Sequence, residues 1–147
     1  MNIEKYALKL ESSRTIFEFE SRGLKGRIAK IIQFEETNEP GVYNLAFGDK
    51  DPETGMIDDL SVSNNGDSEK VLATVISALY LFFDLYPDAF VYATGSTYAR
   101  TRLYRMGITR YFEQVRKDFY LYGESEGDFG EFEIGKDYRG FLVERKF

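Results

Sequence analysis

The chain of 147 residues contains no histidine, no cysteine and no tryptophan. Without cysteine it forms no disulfide and has no thiolate nucleophile. Without histidine it lacks the base of a Ser-His-Asp triad and the commonest nitrogen ligand of zinc. An enzyme built from this sequence would have to use carboxylates, lysine, tyrosine, hydroxyls or backbone groups. The sequence therefore indicates no metal site, no cofactor and no catalytic residue, and it favours a binding protein over an enzyme.

Long hydrophobic runs are also missing. The longest apolar stretch, Val71 to Phe83, is interrupted by Thr74 and Ser77, and a membrane span needs about 18 such residues. The N-terminal segment MNIEKYALKL has no apolar core behind a basic start, so it does not resemble a secretory signal. These features predict a cytoplasmic protein with no membrane partner. The length predicts a single domain over residues 1–147.

Apolar periodicity predicts strands first and helices afterwards. Strand patterns separated by glycine, asparagine and proline turns cover 5–10, 15–21, 26–36, 42–48 and 56–63. Helical spacing then predicts a central helix that begins near Glu69 and ends before Pro87. The side chains expected to bury this helix against the sheet are Leu72, Val75, Ile76, Leu79 and Phe83.

The second half of the chain predicts more strands around another helix. A short strand at 89–93 precedes a helix that we expect to break or kink at Gly107, and a further short helix covers 109–117. Closing strands are predicted at 119–122, 129–134 and 138–146. The expected fold class is α+β, a meandering, largely antiparallel curled sheet with two principal helices packed on it.

The junction ATGSTYARTRLYR at 93–105 is the first candidate site. A glycine after a strand allows a tight turn, and Ser96 or Thr97 can cap the helix while its first N–H groups point outward. Helix N-termini bind anions. Arg100 can reach the same end, and Arg102 projects from a different face. The pattern predicts an anion-binding site at these four residues; the alternative is ordinary capping with surface arginines.

The second candidate site is an acid-free basic stretch in a chain of net charge −6. Arg22, Lys25, Arg27 and Lys30 surround a glycine-bearing hairpin loop. Single-stranded nucleic acid is gripped by basic groups on its phosphates and by rings that stack on its bases. Rings are present on the neighbouring strands, and the alternative is that they form the core. These rings are Phe17, Phe19, Phe34, Tyr43 and Phe47.

Three motifs carry a resemblance to a known family: NLAFGD at 44–49, SNNGDSEKVLATV at 63–75 and ATGSTYARTRLYRMGI at 93–108. The chain resembles a family of bacterial proteins, mostly from Bacteroidetes, of about 150 residues, which is catalogued only as a domain of unknown function. The resemblance covers nearly the whole chain. It implies a stand-alone domain and brings no established activity.

Two further resemblances concern parts of the chain. IFEFESRGLKGRIAKIIQFEE at 16–36 is similar to the paired strands of PUR-type and Whirly-type single-stranded nucleic-acid-binding domains. The strand–helix–strand–helix order ending in LYRMGI at 103–108 is similar to acetyl-coenzyme-A-dependent N-acetyltransferases, whose cofactor loop has more glycines than SNNGDSEKV. Three functions stay open: a single-stranded nucleic-acid or polyanion-binding module, a protein-interaction or homo-oligomeric module, and an acetyltransferase-like enzyme.

Overall fold

The computed structural model describes residues 4–10, 15–58, 65–95 and 98–146. Three helices are present in these ranges, α1 (Ser68–Leu85), α2 (Tyr98–Arg110) and α3 (Phe112–Asp118). The strands are β1 (Lys9–Leu10), β2 (Ile16–Gly23), β3 (Gly26–Glu36), β4 (Val42–Lys50), β5 (Ile57–Asp58), β6 (Phe90–Ala93), β7 (Phe119–Ser125), β8 (Asp128–Glu131) and β9 (Gly140–Arg145). The predicted α+β class is confirmed.

All of these strands belong to one mostly antiparallel sheet. Its order is β1-β2-β3-β4-β6-β9-β7-β8, and β5 pairs with the end of β4. The one parallel pair among the described strands is β4 with β6, in register from Val42↔Phe90 to Leu45↔Ala93. Parallel neighbours need a long crossover, and α1 lies between these two strands in the chain. In chain order these elements are β4, β5, α1, β6 and α2.

The helices pack on one face of the sheet, and the main core lies between the helices and that face. Alternate residues of the central strands point toward α1, such as Leu45 on β4 and Val91 on β6, which are 5% and 0% exposed. The five α1 side chains expected to face the sheet are all buried, which confirms that prediction. They are Leu72, Val75, Ile76, Leu79 and Phe83.

The aromatic side chains of β2 to β4 are part of this core. Phe34 stacks on Phe82 of α1 with ring centroids 4.2 Å apart, and Tyr43 meets the same ring edge-on at 5.0 Å. The sequence left two roles open for these rings, stacking on nucleic-acid bases or forming the core. In the structure they form the core. Those that are almost fully buried are Phe17, Phe19, Phe34 and Phe47.

Gly107 does not break the helix, which was one of the two expected effects, because α2 continues through it to Arg110. A Cβ at Gly107 would lie 3.1 Å from Leu72 Cδ2 of α1, so the absent side chain lets the two helices approach each other. The expected break was wrong, because this glycine lies where two helices pack and not where the chain reverses.

The first strand is shorter than predicted, and the fifth lies partly outside the described residues. Residues 5–8 are not a strand; instead Tyr6 N–H donates a hydrogen bond of 2.8 Å to Thr74 Oγ1 on α1. Its ring stacks on Phe19 at 5.5 Å, so this segment lies along the helix and the edge of the core. In the predicted 56–63 strand Ile57 and Asp58 pair with β4, and residues 59–63 are outside the described ranges.

Candidate functional site: an aromatic sheet face bearing carboxylates

The sheet face opposite the helices carries aromatic side chains on the strands that come from the second half of the chain. In β6, β7 and β9 the residues that alternate with the buried ones are only partly covered, and Tyr120 and Phe129 are 49% and 46% exposed. The apolar and aromatic side chains of this face are not part of the core that the described helices form with the sheet. We name this surface the open-face patch. It contains the apolar and aromatic side chains Phe90, Tyr92, Tyr120, Tyr122, Phe129 and Leu142, with the carboxylates Glu124, Glu131 and Glu144.

Tyr92 and Glu124 form the centre of the patch. Tyr92 is on β6 and Glu124 on β7, and β9 lies between those strands. The Tyr92 hydroxyl donates to Glu124 Oε1 at 2.5 Å. This contact passes over Gly140 of β9, where an added Cβ would lie 2.6 Å from the Tyr92 hydroxyl oxygen. Burial, helped by the hydrogen bond and the charge of Glu124, raises the pKa of Tyr92 to about 12, so the ring stays neutral and orients the carboxylate.

A second tyrosine–glutamate pair lies further along the same strands. The Tyr122 hydroxyl donates to Glu144 Oε2 at 3.4 Å. Burial, followed by the charge of Glu144, raises the pKa of Tyr122. Phe129 packs edge-on against Tyr92 at 6.2 Å and closes the side of the patch near Glu124. The patch therefore combines neutral rings with fixed anionic groups.

Such a surface is suited to positively charged side chains. Guanidinium and ammonium groups are attracted to aromatic faces, and a carboxylate gives them charge-assisted hydrogen bonds. A carboxylate oxygen pair accepts up to about four hydrogen bonds, so a tyrosine hydroxyl leaves room for a further donor. One such contact is present within the chain. Just after the end of β9, Lys146 Nζ lies 5.0 Å from the centre of the Tyr120 ring, a cation–π contact.

The residues predicted to contact nucleic acid are divided between two environments. Arg22, Lys25 and Arg27 are exposed around the β2–β3 hairpin tip. Glu20 lies between the two arginines, 2.9 Å from Arg22 Nε and 3.8 Å from Arg27 Nε. Lys30 instead points to the helix face, is 5% exposed, and binds Asp49 Oδ1 at 2.5 Å.

The predicted anion site can be followed only in part. Ser96 and Thr97 are outside the described residues, and so is the side chain of Arg100. Arg102 is exposed on α2. Next to this junction the Gly95 N–H donates to Thr101 Oγ1 at 2.9 Å, which links the residue after Thr94 to the first turn of α2. The four-residue site remains a prediction.

The N-terminus of α1 is closed by the hairpin tip. The buried Asn65 side chain accepts from Lys25 N–H at 2.5 Å and donates to the Gly26 carbonyl at 2.9 Å. The Asp67 carboxylate accepts from the hydroxyls of Tyr6 and Ser21 at 2.5 and 2.6 Å. A carboxylate at this end repels a phosphate, so these residues provide no cradle for the pyrophosphate of a nucleotide cofactor.

A crevice of about 360 Å³ lies where β4 and β6 separate, after Leu45 and Ala93. Ligands of α/β sheets favour the carboxyl ends of parallel strands, so this position is of interest. Its described lining contains Glu35 and no lysine or arginine, so none of these described residues neutralises a phosphate. The other described lining residues are Gln33, Asn44, Ala46, Phe47, Met56, Ile57, Thr94, Gly95 and Tyr104.

The open-face patch is a site that the sequence analysis missed. Its signal is the alternation in FYLYGE at 119–124, where Tyr120, Tyr122 and Glu124 share one face. The sequence predicts that these side chains are on one side of a strand, but it does not show which side the helices cover. Among the described residues no group of three acidic side chains is arranged to hold a metal ion.

Together these features define a class of protein: an α+β domain with helices on one sheet face and an aromatic, acidic surface on the other. The chain belongs to DUF6934, a family of unknown function, whose model matches residues 2–146. This confirms the resemblance to an uncharacterised family of about 150 residues. Neither the comparison with curated proteins nor that with solved structures finds a match. The described helices include none long and apolar enough to span a bilayer.

Proposed function

We propose that the chain is a protein-interaction module whose open-face patch binds a basic segment of a partner protein. The observation that carries this proposal is the Tyr92–Glu124 pair, in which a neutral ring holds a carboxylate beside exposed aromatic side chains. Exposed aromatic surface on a folded protein is typical of interaction sites. Its acidic side chains favour a cationic partner and disfavour nucleic acid.

Arginine fits this patch better than lysine does. A planar guanidinium can stack on a tyrosine ring and at the same time donate two hydrogen bonds to a carboxylate, whereas an ammonium acts as a point charge. Glu124 and Glu144 each lie next to a tyrosine ring that orients them. The module should therefore prefer a segment in which arginines alternate with apolar side chains that cover Leu142 and Phe129.

The test is fluorescence anisotropy with a labelled amphipathic peptide that has arginine at every fourth position and leucine between. Glu124→Gln/Glu144→Gln keeps an acceptor for each tyrosine hydroxyl and removes both charges. It should weaken binding about tenfold, since each charge-assisted hydrogen bond contributes about 1.5–3 kcal/mol before solvent screening. Binding should also be weaker for the lysine version of the peptide.

The matched control is Glu39→Gln/Glu113→Gln, which changes the net charge equally at two exposed positions outside the patch. It should retain wild-type affinity to within about twofold. Equal loss of binding in both double variants would mean that the peptide responds only to overall charge. Absence of peptide binding by the wild-type protein at low salt would overturn the proposal.

Single-stranded nucleic acid at the hairpin tip is the second candidate. The observation that favours it is the exposure of Arg22, Lys25 and Arg27 around Leu24, which is 92% exposed. Backbone contacts of this kind weaken with salt because each neutralised phosphate releases counterions. Anisotropy with a labelled oligonucleotide at two salt concentrations should then give binding that is removed by Lys25→Glu/Arg27→Glu. Binding that survives this change, or none at low salt, would exclude the hairpin tip as a nucleic-acid site.

A further inference from the structure

We infer that the basic segment suited to the open-face patch is the outer face of α2 in a second copy of this chain. The inference rests on the proposed function, because it names the occupant of the same surface. It also assigns a role to Arg102, which the sequence analysis placed in an anion site.

The outer face of α2 is both cationic and apolar. Tyr98 and Met106 are 72% and 48% exposed, and Arg102 and Arg110 are exposed beside them. These residues follow one another at intervals of four, so they lie on one side of the helix. Arg102 forms no ion pair with the residues that the structure describes.

Arg110 is available in spite of its ion pair with Glu69. Its Nη2 lies 2.6 Å from Glu69 Oε1, and the two side chains are 60% and 71% exposed. Exposed pairs of this kind contribute about 0–1 kcal/mol. A carboxylate offered by a partner can therefore replace Glu69 at little cost.

The two surfaces match in spacing. Arg102 and Arg110 are separated by two intervals of four residues, about 12 Å along a helix, with Met106 between them. Glu124 is paired with Gly140, and Glu144 is four residues further along β9. That register places their backbones about 14 Å apart, with Leu142 between them. An arginine–methionine–arginine stripe thus faces a glutamate–leucine–glutamate stripe.

The position of the surfaces dictates the kind of assembly. The helices pack on one side of the sheet and the open-face patch is on the other, so no copy can satisfy both of its surfaces in a two-fold dimer. Contacts of this heterologous type continue from copy to copy unless a ring closes. The contact involves one helix and four strands, which is small for a stable interface. We expect self-association with a dissociation constant on the order of 0.1–1 mM.

Sedimentation velocity tests this with two variants that each lose one surface. The helix variant is Arg102→Glu/Met106→Glu, and the patch variant is Glu124→Gln/Glu144→Gln. The average mass of the wild-type protein should rise with concentration past that of a dimer, whereas each variant should remain monomeric. An equimolar mixture of the variants should form a 1:1 pair and nothing larger, because each supplies the surface that the other has lost.

The control for the helix variant is Leu24→Glu/Lys25→Glu, which makes the same change in charge at two exposed positions of the hairpin tip. It should associate as the wild-type protein does. A monomeric wild-type protein, a wild-type assembly that stops at two copies, or a mixture of the two variants that does not pair would overturn the inference. If the protein is monomeric but still binds the arginine peptide, a second copy is excluded as the occupant of the open-face patch, and the proposed function still holds.

Discussion

Tyr92 reaches Glu124 across an intervening strand because Gly140 beneath it has no side chain. The hydroxyl lies 2.5 Å from Glu124 Oε1, and a Cβ on Gly140 would lie 2.6 Å from the hydroxyl oxygen. One glycine on β9 thus lets a residue of β6 orient a residue of β7. The open-face patch depends on this three-strand arrangement.

Gly140→Ala should displace Tyr92 and break its hydrogen bond to Glu124. We expect a loss of about 1–3 kcal/mol in the free energy of unfolding, since Tyr92 must leave its position or its rotamer. Urea denaturation followed by circular dichroism measures this loss. Gly130→Ala is the control, because a Cβ there meets no atom within 4 Å, and it should change stability by less than about 0.5 kcal/mol. Equal effects of the two changes would contradict the role of Gly140.

The raised pKa of Tyr92 predicts how its hydrogen bond responds to alkali. The pKa of its hydroxyl is 10.0 in the unfolded reference and about 12 in the folded protein. Its contribution to stability is therefore complete below pH 10 and is lost as the pH rises through about 12. Wild-type protein should be more stable than Tyr92→Phe near neutral pH, and this difference should shrink between those two values. A difference that is constant up to pH 12 would mean that Tyr92 is not held neutral by Glu124 and burial.

Gly107→Ala should stabilise the protein, although the position packs against another helix. Alanine is preferred to glycine inside a helix by about 0.5–1 kcal/mol. The new Cβ would lie 3.1 Å from Leu72 Cδ2, and a small apolar cavity beside both residues gives that side chain room to shift. Thermal denaturation should show a higher melting temperature than wild type. A lower one would mean that Leu72 cannot move.

Asn65 joins the hairpin tip to the start of α1. Its replacement should lower the stability of the protein and the protection of the hairpin tip from hydrogen exchange. The side chain is 2% exposed and contacts Lys25, Gly26 and Ser21. Asn65→Ala leaves buried polar groups without partners, so we expect about 1–3 kcal/mol of destabilisation. Lys25→Ala keeps the backbone N–H that Asn65 binds, so it should have little effect. Hydrogen exchange at Lys25 N–H should accelerate in Asn65→Ala; unchanged protection would contradict the link.

The sequence predicted the fold where local patterns determine it. The β3 strand was predicted with its observed bounds, and the buried face of α1 followed from helical spacing. Gly107 was misread because the same residue type serves a turn in one context and close helix packing in another. That distinction depends on Leu72, which is distant in sequence and close only after folding.

The candidate site was less accessible to sequence reasoning. Lys30 belongs to a basic stretch, yet strand alternation turns it toward the helices, where it binds Asp49. Tyr92, Gly140 and Glu124 are far apart in the chain and meet only through the strand order β6-β9-β7. A local sequence pattern does not reveal this contact, because the contact depends on the pairing of strands that are not consecutive in the chain.

The most direct test of the open-face patch is a titration of the protein with the arginine–leucine peptide, followed by NMR of its tyrosine rings. The chain has 11 tyrosines, and they lie on both sides of the sheet. We predict that the ring signals of Tyr92, Tyr120 and Tyr122 shift on binding, while those of Tyr43 and Tyr111 on the helix side do not. Shifts of the helix-side rings, with the three open-face rings unchanged, would contradict the account.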